Sequence, residues 1–240
     1  MSRWPIRYAP WMVRDLVRGP GALMLAILGF AAVLVHRTAP LRAPPAGGER
    51  VLAEILGGVA WPFAILAAGG IVSGDRARGY YRVLFSRPVS PVAYYLQRWL
   101  LGGALVGLAA PVLGLGLWPS FGVVPFSWET LARLGLLYLL LGGLVLFCSA
   151  ATSTPHRELV AVALVVVLQG VLHGMIENGL LASPLWRAVA GALPPFHHLG
   201  GDRRLPTGGE LAHVALYGLT LVGGGLALVR LRPLGAGGRA

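Results

Sequence analysis

The chain has 240 residues, of which 56% are hydrophobic and only 12% charged, with a formal net charge of +11. So few charges cannot cover a water-soluble domain, where about a quarter of residues are charged. A single cysteine excludes an internal disulfide and a cysteine metal cluster. The basic residues are all arginine, and they flank apolar runs, so phospholipid headgroups rather than nucleic acid are their expected partners.

In chain order, residues 4–18 mix Trp4, Ile6, Tyr8, Trp11, Met12, Leu16 and Val17 with three arginines, and Arg3 stands just before them. That pattern predicts an amphipathic helix lying in the membrane interface, interrupted near Pro10. No small-residue cleavage site follows, so the apolar run after it is read as a retained first span. Runs without charged side chains then recur at residues 20–35, 55–74, 99–118, 134–154, 159–172 and 214–229. Most approach the roughly 20 residues that cross a hydrocarbon core, and only a helix lets an isolated crossing segment satisfy its own backbone in lipid. The expectation is an all-α membrane protein forming one domain, with six transmembrane helices at about 20–36, 54–74, 98–118, 132–153, 157–176 and 211–230. Residues 37–50, rich in proline and glycine, are expected to form an irregular loop. Leu185, Trp186, Val189 and Leu193 recur at helical spacing and predict a short helical excursion between spans 5 and 6. The glycines of residues 100–116 and 221–228 would let helices approach closely.

With both termini on one side, that side carries Arg3, Arg7, Arg14, Arg18, Arg76, Arg78, Arg82, Arg87, Arg98, Arg157, Arg230, Arg232 and Arg239, thirteen in all. The other carries seven: Arg37, Arg42, Arg50, Arg133, Arg187, Arg203 and Arg204. Positive charge is retained in the cytoplasm during insertion, so both termini and the segment at 75–91 are expected there, in a multi-pass protein of the inner (cytoplasmic) membrane.

The segment "GDRARGYYRVLFSRPVSPVAYYLQRW" is too long and too apolar for a turn. A helix from about Arg76 to Phe85, ending before Pro88, would present Tyr80, Leu84 and Phe85 among arginines, a surface suited to a protein partner or to lipid. The stretch resembles the segment between spans 2 and 3 of type 2 ATP-binding-cassette exporter permeases. Gly79 matches the family's glycine, Tyr80 to Phe85 its apolar helix, and Ser86, Pro88, Val89 and Ser90 its turn; Tyr94 and Tyr95 match the aromatic entry to span 3. Where the family is rich in glutamate, this chain has Arg76, Arg78 and Arg82 against Asp75. An acidic surface on the ATPase, or lipid phosphate, would balance them.

The resemblance implies a permease subunit of an exporter, half of the transmembrane pathway, paired with a second permease and with two ATPase subunits that hold ATP and Mg. Residues 75–91, including Gly79, Tyr80, Leu84, Phe85, Ser86, Arg87, Pro88, Val89 and Ser90, would be the coupling element. The chain has no lysine for a phosphate-binding loop, so it is expected to be a transport subunit without its own ATPase site or cofactor.

Other residues carry competing readings. His173 and Glu177, and His213 and Tyr217, are each four apart and share a helix face, so they are candidates for lining a pathway. The alternative is a haem- or metal-handling protein using His173, His197, His198 and His213, although no H-E-x-x-H or cysteine pair supports it. Ser73, in "VSGD", has no histidine near it in sequence to act as a base, which disfavours a serine hydrolase.

Overall fold

A computed structural model describes residues 9–38, 45–80, 90–181, 183–199 and 205–231. Every regular element among them is helical, and six helical runs are long and apolar enough to cross a membrane. These are span 1 (Pro10–Thr38), span 2 (Gly47–Ala68), span 3 (Pro91–Phe121), span 4 (Trp128–Ala151), span 5 (Pro155–Glu177) and span 6 (Gly208–Leu231). The expected all-α, six-span architecture of a multi-pass membrane protein is therefore the one found. Large aliphatic side chains such as Leu108, Leu164 and Leu216 are exposed, as helices solvated by hydrocarbon require.

Several boundaries differ from expectation for local reasons. The amphipathic N-terminal helix Ala9–Leu16 does not end before span 1: it continues through a π turn, Val17–Gly21, into Ala22–Thr38. Pro20 lies inside that turn; it has no N–H to donate, and the wider turn accommodates it without breaking the helix. Pro10 does not interrupt this run, standing near its described start. The helix containing span 2 begins at Pro45, so residues 45–50 are helical rather than part of an irregular loop. Proline suits the first helical turn, where N–H groups have no partner. That helix ends at Ala68 instead of residue 74, because Gly70 takes a left-handed φ of 66°.

Span 3 starts eight residues before the charge-free run at 99, since Arg98 and Gln97 lie within the helix. Ser90 caps it by accepting from the Ala93 N–H at 3.4 Å, and Pro91 occupies its first turn. Its 31 residues measure about 46 Å at 1.5 Å per residue, beyond the roughly 30 Å of a hydrocarbon core. The extension carries Tyr94, Tyr95 and Arg98 past the end of span 2.

Span 4 is the central helix, with most of its residues buried against spans 2, 3 and 6. A π turn at Tyr138–Gly142 interrupts it, and the Tyr138 hydroxyl donates to the Trp99 carbonyl at 2.7 Å. Gly102 is required by this contact: a Cβ there would stand 2.5 Å from the Tyr138 oxygen and 2.9 Å from the Ala67 carbonyl oxygen. Gly218 of span 6 is equally constrained, with Leu139 side-chain carbon 2.7 Å from the position of a Cβ. The glycine-rich faces thus serve helix packing within this chain.

Candidate functional site

Polar side chains gather at the two ends of the bundle. At one end, where span 2 gives way to the 75–91 segment, a short helix Ser73–Arg78 follows the glycine turn. The Ser73 hydroxyl donates to Glu158 Oε2, and the Gly70 N–H donates to Glu158 Oε1 at 3.0 Å. The Ser149 hydroxyl oxygen accepts from the N–H groups of Val72 and Ser73, both at 3.0 Å. Arg76 donates to the carbonyls of Ala150 at 2.8 Å and Thr152 at 3.1 Å, satisfying groups that the end of span 4 leaves without helical partners. Arg98 of span 3 pairs with Asp75 at 3.1 Å and, more loosely, with Asp15 at 3.8 Å. Glu158, Ser73 and Ser149 are wholly buried. The root of the segment is thereby bonded to spans 3, 4 and 5, and through Arg98 it reaches the N-terminal helix.

Burial pushes the Asp75 carboxyl above its ordinary range, while Arg98, then Arg78 and Tyr95, pull it back. A buried polar network this complete is rigid, because opening any member orphans a donor or acceptor away from water.

The expected helix from Arg76 to Phe85 is not continuous: Ser73–Arg78 ends at Gly79, whose φ of 70° is left-handed, and its N–H returns to the Arg76 carbonyl at 3.1 Å. Tyr80 is exposed, with the Arg78 guanidinium 6.0 Å from its ring centre. Leu84, Phe85, Ser86, Arg87, Pro88 and Val89 lie outside the described residues, and Ser90 is the cap of span 3. Tyr94 and Tyr95 are fully buried, with ring centres 5.1 Å apart, and belong to the core at the base of span 3.

At the opposite end, four histidines from three separate stretches meet. The rings of His173 and His197 stack at 4.1 Å, His197 and His198 lie 4.0 Å apart, and His198 and His213 5.9 Å apart. His173 Nε2 is 3.1 Å from Glu177 Oε1, His198 Nδ1 is 3.9 Å from Glu210 Oε1, and the Gln169 amide is 3.1 Å from His197 Nδ1. His213 and Tyr217 face each other at 6.3 Å, and the Tyr217 hydroxyl donates to the Ala192 carbonyl at 2.7 Å. The expected pathway pairs and the alternative's histidines are therefore one cluster. Only His173 and His197 stack face to face; the His197–His198 pair is tilted by 47° and the His198–His213 pair meets edge to face. Among the described residues no group of three or more His, Cys, Asp or Glu side chains is arranged to hold a metal ion.

Beside the cluster, a cavity of about 560 Å³ opens between spans 2 and 4. Its rim carries Glu49, Arg50, Glu54 and Glu129, and Trp61 and Leu134 line its apolar side. The helix Pro184–Gly191 occurs where the Leu185 and Trp186 periodicity placed it, with no buried residue of its own.

Sequence reasoning missed Glu158, Ser149, Gln169 and the Arg98–Asp75 pair. Glu158 stands in the first turn of span 5, where an acid ordinarily complements the helix dipole, so its place in the sequence carries no sign of a buried partner. Ser73, for which a hydrolase role is disfavoured, has Glu158 and Ser149 as its partners rather than a histidine. Comparison of the chain with protein-family models, curated proteins and solved structures finds no match.

Proposed function

We propose that the chain is the permease subunit of an ATP-driven exporter of the ATP-binding-cassette kind, forming half of a transmembrane pathway and coupled to a separate ATPase through residues 75–91. The observation that carries the reading is the bonding of that segment's root. Ser73 and Asp75, with Gly70 just before them, are joined to spans 5 and 3 by buried bonds, and Arg76 to the end of span 4. A force applied to the segment from outside the membrane would move three spans together, which is what a rigid-body switch between two packings needs. A merely lipid-lying linker has no use for such a root. The resemblance of "GYYRVLFSRPVS" to the family's coupling segment supports an ATPase as the partner, and the lack of a lysine for a phosphate-binding loop supports a reading in which that partner holds ATP and Mg. The mixed polar and apolar lining of the cavity suits an amphipathic or hydrophobic substrate.

The test is copurification with an ATPase subunit and substrate-stimulated ATP hydrolysis. Leu84→Glu or Phe85→Glu places a charge in the proposed joint and should abolish docking while membrane insertion survives. Arg82→Glu should weaken docking in a salt-dependent way if the ATPase surface is acidic. Wild-type complex formation and stimulation in both glutamate variants would reduce the segment to a basic linker.

A further inference from the structure

Residues 194–199 form a short strap between the helix Pro184–Gly191 and span 6, and four spans grip it or its approach. The Phe196 ring lies 5.0 Å from Trp61 of span 2. The Leu199 carbonyl accepts from Arg133 of span 4 through Nε at 3.2 Å and Nη2 at 2.7 Å. His197 meets Gln169 and His173 of span 5, and Tyr217 of span 6 holds Ala192. Leu199 is also part of the wall of the 560 Å³ cavity, beside Trp61 and Arg133. Displacing the strap would thus open the cavity on that side.

The middle of the strap is the histidine cluster, and its charges do not balance if the rings protonate. Four rings face two carboxylates: Glu177 serves His173, and Glu210 serves His198. His197, stacked on His173 and tilted against His198, has an amide as its partner. Span 6 adds Tyr217, which is neutral, and span 4 adds the cation Arg133. Glu49, Arg50 and Glu54 of the helix containing span 2 and Glu129 of span 4 stand around the cavity, and Asp202, Arg203 and Arg204 follow outside the described residues. Neutral imidazoles pack together readily; imidazolium ions about 4 Å apart repel one another, more strongly in a half-buried site than in open water.

We propose that His197 and His198, packed against His173 and His213, form a proton-operated latch, which holds the 194–199 strap across the cavity while these two rings are neutral and releases it when they charge. The inference does not depend on the exporter reading, since it concerns only this chain. The direction follows from linkage. Burial first, then the neighbouring His198, His173 and His213, push His197 down from 6.5 to about 4, with Glu210 opposing; His198 is lowered too, again chiefly by burial. A released strap exposes His197 and His198 and returns these two rings toward the ordinary value near 6.5. The released form then binds more protons. The closed form is favoured above about pH 6.5 and loses ground as pH falls toward about 4, by up to roughly tenfold per pH unit for such a ring.

The experiment is a spin-label distance measurement on the purified protein in lipid nanodiscs, with no other protein added. Labels go on Ala192→Cys and Trp128→Cys in a Cys148→Ala background, diluted with unlabelled protein so that only distances within one chain are read. A single distance at pH 8 should give way below about pH 6.5 to a second, longer population, its ratio to the first growing about fivefold between pH 6.5 and 5.5 from His197 alone. His197→Gln with His198→Gln should keep the pH 8 distance and flatten the pH response. An unchanged single distance down to pH 4.5 would overturn the latch, and that titration decides alone if the double variant does not fold. A full pH response in a folded double variant would overturn it equally.

Discussion

The Ser73 hydroxyl donates to the buried carboxylate of Glu158, joining positions 85 residues apart at the point where the segment after span 2 meets the first turn of span 5. Ser149 completes the arrangement from span 4 by accepting two backbone N–H groups that no helix would otherwise satisfy. Ser149→Ala should therefore orphan two buried donors and cost about 2 kcal/mol or more. For a chain of this length that is a fall of roughly 4–8 °C in thermal midpoint in detergent. Glu158→Ala should fall further than Glu158→Gln, whose amide oxygen can still accept from Gly70. Midpoints within a degree of wild type for both alanine variants would contradict the network.

Arg98 distinguishes two ion pairs by their burial. Asp75 is buried and close, while Asp15 is half exposed and 3.8 Å away. Removing the arginine as Arg98→Met strands the Asp75 carboxylate and should cost about 3 kcal/mol. Asp15→Asn should cost less than about 1 kcal/mol. The double variant Arg98→Met, Asp75→Asn should recover part of the loss, which a double-mutant cycle on thermal or denaturant unfolding reads directly.

Gly102 tests the close approach of spans 2, 3 and 4. Gly102→Ala forces a methyl into the Tyr138 hydroxyl and the Ala67 carbonyl, and should destabilise by roughly 1–3 kcal/mol. Gly107→Ala is the control on the same helix, because its Cβ would meet only Leu131 at an ordinary 3.8 Å. Equal unfolding midpoints for the two variants would mean that the helices separate at no cost.

Orientation in the membrane can be read with reporter fusions after Gly47, Arg78, Phe121, Thr154, Gly201 and Arg232. The arginine asymmetry predicts cytoplasmic signals after Arg78, Thr154 and Arg232, and the opposite face for the other three. A cytoplasmic signal after Gly201 would place spans 5 and 6 differently from the order of helices described here.

The charge-free runs by themselves determined the six spans, because a helix in hydrocarbon must be long, apolar and internally bonded, and those demands are written locally in the chain. The i,i+4 pairs His173–Glu177 and His213–Tyr217 were legible for the same reason: helical geometry places them on one face. Helix ends were less legible. Gly70 and Gly79 stop their helices by adopting left-handed backbone, yet dozens of glycines elsewhere in the chain look the same as letters. Only the tertiary structure placed His197 and His198 between the two pairs, and Glu158 beneath Ser73 and Gly70. Those contacts join residues from different helices, and they depend on how long span 3 is and on how closely glycine lets its neighbours approach. No local period in the sequence records such distances, whereas burial makes the resulting bonds the costliest to break.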